Sequence, residues 1–423
     1  MKLEFLITAT YILICFWLIP QLSFVKNAGL GRLKVRLCFA FKMSVAIAAA
    51  YYFTHSPLYN DYVGYNSDGM AQYELLTTDP AVFFTDFTRD LSTYGLGGML
   101  DSSYSFWAYL RFNLVFKFIG LMNLLTHGNF YLNCLVFSSF TFFAQLAFYR
   151  IYANLYPEHK LKMLLICFLV PSILIYTACP HKDGLVFLGI AAISFIFYRY
   201  LKFGLSGLKA VVVLILALCC IFLLRNYVLI ALLPTLFTAW LCRVLPFSRA
   251  LIFVGSYFLY AAIFFLSGQL SSSLSLPQAV IKRKSDFQML PPGSTNLSMN
   301  ELYPSVQSFA GNIPQAINHS LLRPYFWELR STAARLTALE LAAFQLILVA
   351  FIFFRKRNTG RPSIYNLYSI AFFLSMALII GYTIPNVGAI VRYRSLLWIF
   401  VLCPMVASTN WEGMKLWRKA GGL

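Results

Sequence analysis

Charge is what this sequence has least of. Asp, Glu, Lys and Arg make up 12% of its 423 residues, and the acids are the rarer kind, 15 against 34 Lys and Arg. A soluble chain of this length needs a mixed charged surface, and so few charges do not make one. Nine cysteines are scattered without a CxxC pair and lie mostly inside apolar stretches, so they imply no disulfide framework and read as small buried hydrophobes. A basic patch is also missing. The net charge of +19 is spread through the gaps between apolar runs, which argues against a nucleic-acid partner. No repeat period or low-complexity tract is evident, and residues 1–423 read as a single integral membrane domain.

What is abundant is apolar: 60% hydrophobic residues, 17% of the chain aromatic. The runs Ala210–Leu224, Tyr227–Leu241, Leu251–Leu266, Leu336–Phe354 and Ile364–Thr383 recur at membrane length rather than core-helix length. The expectation is an all-α polytopic membrane protein with about eleven transmembrane helices. The first run, Phe5–Ile19, has only Lys2 beside Glu4 before it and the basic stretch Lys26–Arg36 after it. That favours a retained span with an outside N-terminus over a cleaved signal peptide.

Charge then orients the spans. Lys26–Arg36, Arg150–Lys162, Arg199–Lys209, Arg243–Arg249, Arg355–Arg361 and Lys415–Lys419 hold more than half of the 34 Lys and Arg. Only Glu158 and Glu412 of the 15 acids share their side, which is therefore cytoplasmic. One apolar segment breaks the alternation: Phe112–Thr126 is short and carries Lys117 in its middle. It is expected to lie in the interface, with Lys117 at the headgroups, because a crossing would invert every later loop. The C-terminus is then cytoplasmic, and two large external loops remain, 54–127 with interfacial helices and 267–335. The first carries Asp61, Asp68, Glu74, Asp79, Asp86, Asp90 and Asp101; the second contains Ser271–Ser273 and Pro291–Pro292–Gly293.

Four places on the external side carry chemistry. In the first loop, Tyr65–Asn66–Ser67–Asp68–Gly69 reads as a turn, with Asp68 capping a helix from Met70. Most of these acids are a solvated face that obeys topology. Asp68 and Glu74 differ by sitting among Tyr62, Tyr65, Met70 and Tyr73, where a carboxylate can act as general base toward a sugar hydroxyl or hold a divalent cation. The second place is Pro180–His181–Lys182–Asp183–Gly184. There Asp183 is suited to cap the next helix, Lys182 to meet a phosphate at a helix N-terminus, and His181 to shuttle a proton. The third, Arg323–Pro324–Tyr325–Phe326–Trp327–Glu328, is either an interfacial anchor or a sugar-stacking platform. In the latter, Arg323 binds a phosphate oxygen, Trp327 stacks, and Glu328 holds a hydroxyl or that arginine. The fourth is Pro385–Arg394. On an extended backbone, Arg392 and Arg394 point the same way and form a fork suited to a diphosphate.

With those residues in hand, the layout resembles the GT-C-like lipid-carrier-dependent glycosyltransferases and the Wzy-type polysaccharide polymerases. An acidic first external loop with interfacial helices, here holding Asp61, Asp68 and Glu74, is similar to the GT-C arrangement. Pro171–Ser172 through Lys182–Asp183, Arg323–Pro324 with Trp327–Glu328, and Arg392–Tyr393–Arg394 resemble polymerase patterns. The chain departs from GT-C in having an extra span before the acidic loop and no soluble C-terminal domain, which favours a polymerase-like enzyme relying on arginines. The resemblance implies a polyprenyl-(di)phosphate-linked glycan substrate at the outer face of the bacterial cytoplasmic membrane. Membrane lipid and other polysaccharide-assembly proteins are the implied partners. The diphosphate would rest on Arg392, Arg394 and Lys182 or Arg323, and the acceptor would be activated by Asp68, Glu74 or His181. No cofactor is required, and a divalent cation is optional. A transporter or flippase for lipid-linked sugars or another anionic substrate is the competing class. Transporters place charges at the midplane and show inverted repeats, whereas here only Lys42 and Glu340 lie well within spans.

Overall fold

Apolar runs in lipid must satisfy their own backbone groups, and this chain does so with helices throughout. The structure is a computed structural model that describes residues 2–56, 60–94, 105–204, 207–270, 275–289, 295–328, 332–356 and 363–414. Asp101, Ser271–Ser273, Pro291–Pro292–Gly293 and Lys415–Lys419 lie outside the described residues, as does the side chain of Asp90. The chain forms two compact units, residues 1–226 and 227–423.

The first unit contains α1 (Lys2–Leu18), the single turn α2 (Ser23–Lys26), α3 (Arg32–Thr54), α4 (Asp61–Thr78), α5 (Pro80–Tyr94) and α6 (Phe106–Thr126). It continues through α7 (Phe130–Leu155), α8 (Lys160–Leu169), α9 (Pro171–Tyr176), α10 (Lys182–Phe203) and the first part of α11 (Leu208–Val244). Its core is α7, buried along nearly its whole length and flanked by α3 and α10. The second unit holds the rest of α11, then α12 (Arg249–Leu270), α13 (Leu276–Gln288), α14 (Val306–Ile317) and α15 (Thr332–Phe353). It ends with α16 (Ile364–Thr383), α17 (Val387–Ser395) and α18 (Trp398–Ser408).

Among the described residues, α6, α7, α10, α11, α12, α15 and α16 are long and apolar enough to cross a membrane. The pair α17–α18, bent by 63°, adds an eighth if counted as one span. The other expected spans fall on α1, which is short, and on α3, whose first turns carry Arg32, Lys34 and Arg36. They also fall on α8 and α9, which Pro171 separates by removing a backbone donor. The runs expected on either side of Arg225–Asn226 form one 37-residue element whose only non-helical residue is Arg225, at φ −150 and ψ 72. A helix of that length is about 55 Å long, roughly twice the hydrocarbon thickness, so the break at Arg225 divides it into two membrane-length pieces.

One local expectation needs correction. The turn at Tyr65–Gly69 is instead continuous helix: α4 runs from Asp61, capped by Asn60, whose side chain accepts from the Val63 amide at 3.1 Å. Asp68 therefore caps nothing and lies exposed in mid-helix. Gly69, by contrast, faces a helical partner: it lets α6 approach until an added Cβ would stand 2.3 Å from Ile119 Cγ2. Lys117 of α6 has protein partners on α4 and α5. It pairs with Asp86 at 2.8 Å, donates to Gln72 Oε1 at 3.2 Å, and reaches the Phe83 carbonyl. Its charge is neutralised inside the helical cluster of α4, α5 and α6.

Candidate functional site

In the first unit, three contacts pin the segment entering α10. Thr141 Oγ1 donates to the Thr177 carbonyl at 2.8 Å, Ser138 Oγ to the Ala178 carbonyl at 2.9 Å, and buried Lys42 Nζ to Thr177 Oγ1 at 3.0 Å. Gly184 then presses the start of α10 onto α7, since a Cβ there would stand 2.5 Å from the Phe137 ring. His181 and Asp183 are held rigidly and fully buried as a result.

A row of ionisable groups runs outward from this point. Arg225, freed from helical geometry by the break in α11, forms an ion pair with Asp183 Oδ1. Asp183 Oδ2 lies 3.0 Å from His181 Nδ1, and His181 Nε2 lies 3.9 Å from Asp61 Oδ2. The Asp183 backbone nitrogen is also 3.2 Å from Nδ1. One ring nitrogen does not accept from the amide and donate to the carboxylate at once. The shorter contact to an anion decides between them: a lone pair facing a carboxylate at that distance is repulsive, so Nδ1 carries the hydrogen and Nε2 faces Asp61. Tyr65 stacks on the imidazole at 4.8 Å between centroids, Tyr62 tilts against it at 5.2 Å, and Phe53 backs Tyr62 at 4.4 Å.

Of the row, only Asp61 is accessible, with 46% of its side chain exposed. A proton reaching Nε2 creates a positive ring between two carboxylates, the pairing a buried cation needs. The site is thus an exposed carboxylate backed by a buried imidazole, which a second carboxylate and an arginine hold in place. Lys182, one residue from the ring, packs its ammonium 4.2 Å from the Phe112 centroid on α6. Asp68 and Glu74 are exposed farther along α4, and neither makes a side-chain hydrogen bond or ion pair among the described residues.

The second unit builds a different cluster. Glu328 Oε1 holds Arg323 Nη1 at 3.1 Å, and its other oxygen accepts from the Tyr325 amide at 3.1 Å. Tyr325 donates to Asn318 Oδ1 at 2.7 Å and stacks at 4.7 Å on Trp327, which is 80% exposed. His319 is buried nearby. Burial pulls its pKa below the ordinary imidazole value and the Arg323 charge adds to this, while Glu328 opposes it.

The expected fork of Arg392 and Arg394 does not form, because Val387–Ser395 is helical. Residues two apart on a helix point in different directions. Asn386 starts that helix by accepting from the Ala389 amide at 3.1 Å. Arg394 is buried and spends its Nη1 on the carbonyls of Ser320, at 2.8 Å, and Arg323, at 2.5 Å, so it supports the Arg323 loop. Arg392 is half-buried beside the Tyr393 ring.

The structure thus joins Asp61, His181 and Asp183 in one unit, and Arg323, Glu328 and Arg394 in the other. Sequence reasoning missed Arg225 as a site residue, although a single cation inside an apolar run of that length is a signal in itself. Among the described residues there is no group of three metal-ligating His, Cys, Asp or Glu side chains. Comparison with protein-family models, curated proteins and solved structures finds no match.

Proposed function

We propose that this protein is a membrane glycosyltransferase or polysaccharide polymerase. It would move a glycan from a polyprenyl-(di)phosphate carrier to a hydroxyl acceptor at the outer face of the cytoplasmic membrane. The row Asp61–His181–Asp183–Arg225 carries the reading, because it has the parts of a general base: an accessible carboxylate, an imidazole to share the proton, and a fixed group to orient the ring. As the acceptor oxygen bonds to the anomeric carbon, its proton passes to Asp61 and His181. The bond to phosphate breaks and its electron pair leaves on the (di)phosphate. Lys182, whose ammonium packs on Phe112 one residue from the imidazole, is the cation this unit offers to that leaving charge. Of Asp68, Glu74 and His181, the residues expected to activate the acceptor, this reading keeps His181 and adds Asp61.

The proposed topology keeps both termini as the charges suggest, N-terminus outside and C-terminus cytoplasmic, with α4 and α6 at the outer interface. In support, α6 lies along α4, which exposes Asp68 and Glu74, and a helix with such a partner belongs where carboxylates are solvated.

Deletion of the gene, followed by profiling of lipid-linked and surface glycans, tests the function. A polymerase mutant displays single repeat units, and a single-sugar transferase mutant accumulates a truncated lipid-linked glycan. Asp61→Asn and His181→Gln, inserted normally in the membrane, should reproduce the deletion phenotype. Wild-type product from both variants would sink the assignment of the base. A transporter or flippase is the second reading, favoured by Lys42 buried in α3 and Arg225 buried at the break in α11, since ionisable groups at membrane depth mark transport paths. Its mutant would trap the substrate on the cytoplasmic side.

A further inference from the structure

Helices α5 and α6 border a half-open cavity of about 330 Å³ that shares no residue with the ionisable row, with room for roughly ten waters by volume. Its walls are mostly apolar, with Phe83 and Phe87 from α5 and Leu114 and Phe118 from α6. Two polar side chains line it, Asn113 and Lys117, and they differ in kind. Lys117 is already neutralised by Asp86 at 2.8 Å, so the cavity has no net attraction for an anionic head. Asn113 is 2% exposed, and among the described residues neither its amide nitrogen nor its amide oxygen has a hydrogen-bond partner. A buried carboxamide left with both a donor and an acceptor unmet is costly, and native interiors seldom keep one without a compensating ligand or water.

We propose that this cavity is a binding site for a neutral lipid bearing a free hydroxyl, its chain among the phenylalanines and its hydroxyl on Asn113. The chemistry selects that class. A hydroxyl accepts from the amide nitrogen and donates to the amide oxygen, so one group satisfies both atoms. A plain hydrocarbon tail, the polyprenyl chain of the proposed donor included, satisfies neither. An anionic head finds Lys117 occupied. The site is independent of the glycan reading, since none of its residues belongs to the row that carries it.

The test uses the full-length protein in lipid nanodiscs and a monoacylglycerol carrying a photoactivatable diazirine in its acyl chain. The methyl ester of the same acyl chain lacks the hydroxyls, and the matching phosphatidic acid carries charge. Crosslinks from the monoacylglycerol should map to peptides of α5 and α6, with about tenfold lower yield for either comparison lipid, the loss expected for about 1.4 kcal/mol of binding. Leu114→Trp, which fills the cavity, should abolish the crosslink. Asn113→Leu should lower it about tenfold while leaving thermal stability unreduced, because that change removes a buried polar group with no protein partner. Equal labelling by the methyl ester, undiminished labelling of Asn113→Leu, or no labelling of α5 and α6, as for a cavity holding only water, would each overturn the proposal.

Discussion

Asp183 has no solvent to fall back on. It is fully buried, and its charge is tolerated because Arg225 and His181 face its two oxygens. Removing one partner of a buried pair is expensive, while removing both together is often close to neutral. Arg225→Met should therefore lower unfolding stability by about 3–5 kcal/mol. Arg225→Met combined with Asp183→Leu should recover much of that loss. Thermal unfolding of the purified variants in one detergent measures both. A double variant as weak as the sum of its parts would mean the pair is not what holds the break in α11. The pairing also separates stability from chemistry: the double variant regains stability yet has no group to orient His181, so it should remain without glycan product.

At the scale of elements, the decisive contact is α4 on α6. It is built from small residues and amides rather than from an apolar stripe. Gly69 and Gly120 allow close approach, with an added Cβ at Gly120 standing 3.0 Å from Gln72 Cβ. Beside them, Asn123 donates to the Gly69 carbonyl at 3.2 Å, and Asn133 joins Asn66 at 2.8 Å to Asn123 at 2.7 Å. Thr126 completes the network with a 2.6 Å bond to Asn133 Oδ1. A network with every member satisfied fixes one register between helices. Gly69→Ala should cost about 1–3 kcal/mol by overpacking against Ile119. Combined with Ile119→Ala, it should lose less than the two single changes summed, because the shortened side chain makes room for the methyl group. Additive losses in a double-mutant cycle would show that α4 and α6 do not meet there. The register matters to the site, since α4 carries Asp61, Tyr62 and Tyr65 to His181.

For the whole molecule, the open variable is which side each loop occupies. A crossing by α6 would invert every later loop, which is why the sequence denies it one; the charge of Lys117 is a lesser reason, and its ion pair with Asp86 weakens that one. The solvated acids of α4 alongside α6 supply a better one. In a background without native cysteines, single cysteines at Asp68 and Glu158 distinguish the arrangements. Position 68 should react with a membrane-impermeant maleimide in intact cells, and position 158 only after permeabilisation. Labelling of 158 in intact cells would place α6 across the bilayer and invert every later loop.

Composition and run length alone determined that this is a helical membrane protein, because lipid leaves a spanning backbone few ways to satisfy its own hydrogen bonds. They also singled out His181, Lys182, Asp183, Arg323 and Glu328 as polar residues beside apolar runs. Sequence did not show which of these meet. Asp61 and His181 are separated by more than a hundred residues, and what joins them is the packing of α4 and α6 beside the start of α10. Pattern reading placed a turn at Gly69, where the glycine serves a helix crossing, and an extended fork at Arg392 and Arg394, where the backbone is helical. The runs Ala210–Leu224 and Tyr227–Leu241 leave Arg225 between them, where a charge looks like a boundary. Only tertiary structure, by supplying Asp183 as a buried counter-ion, makes that boundary part of the site.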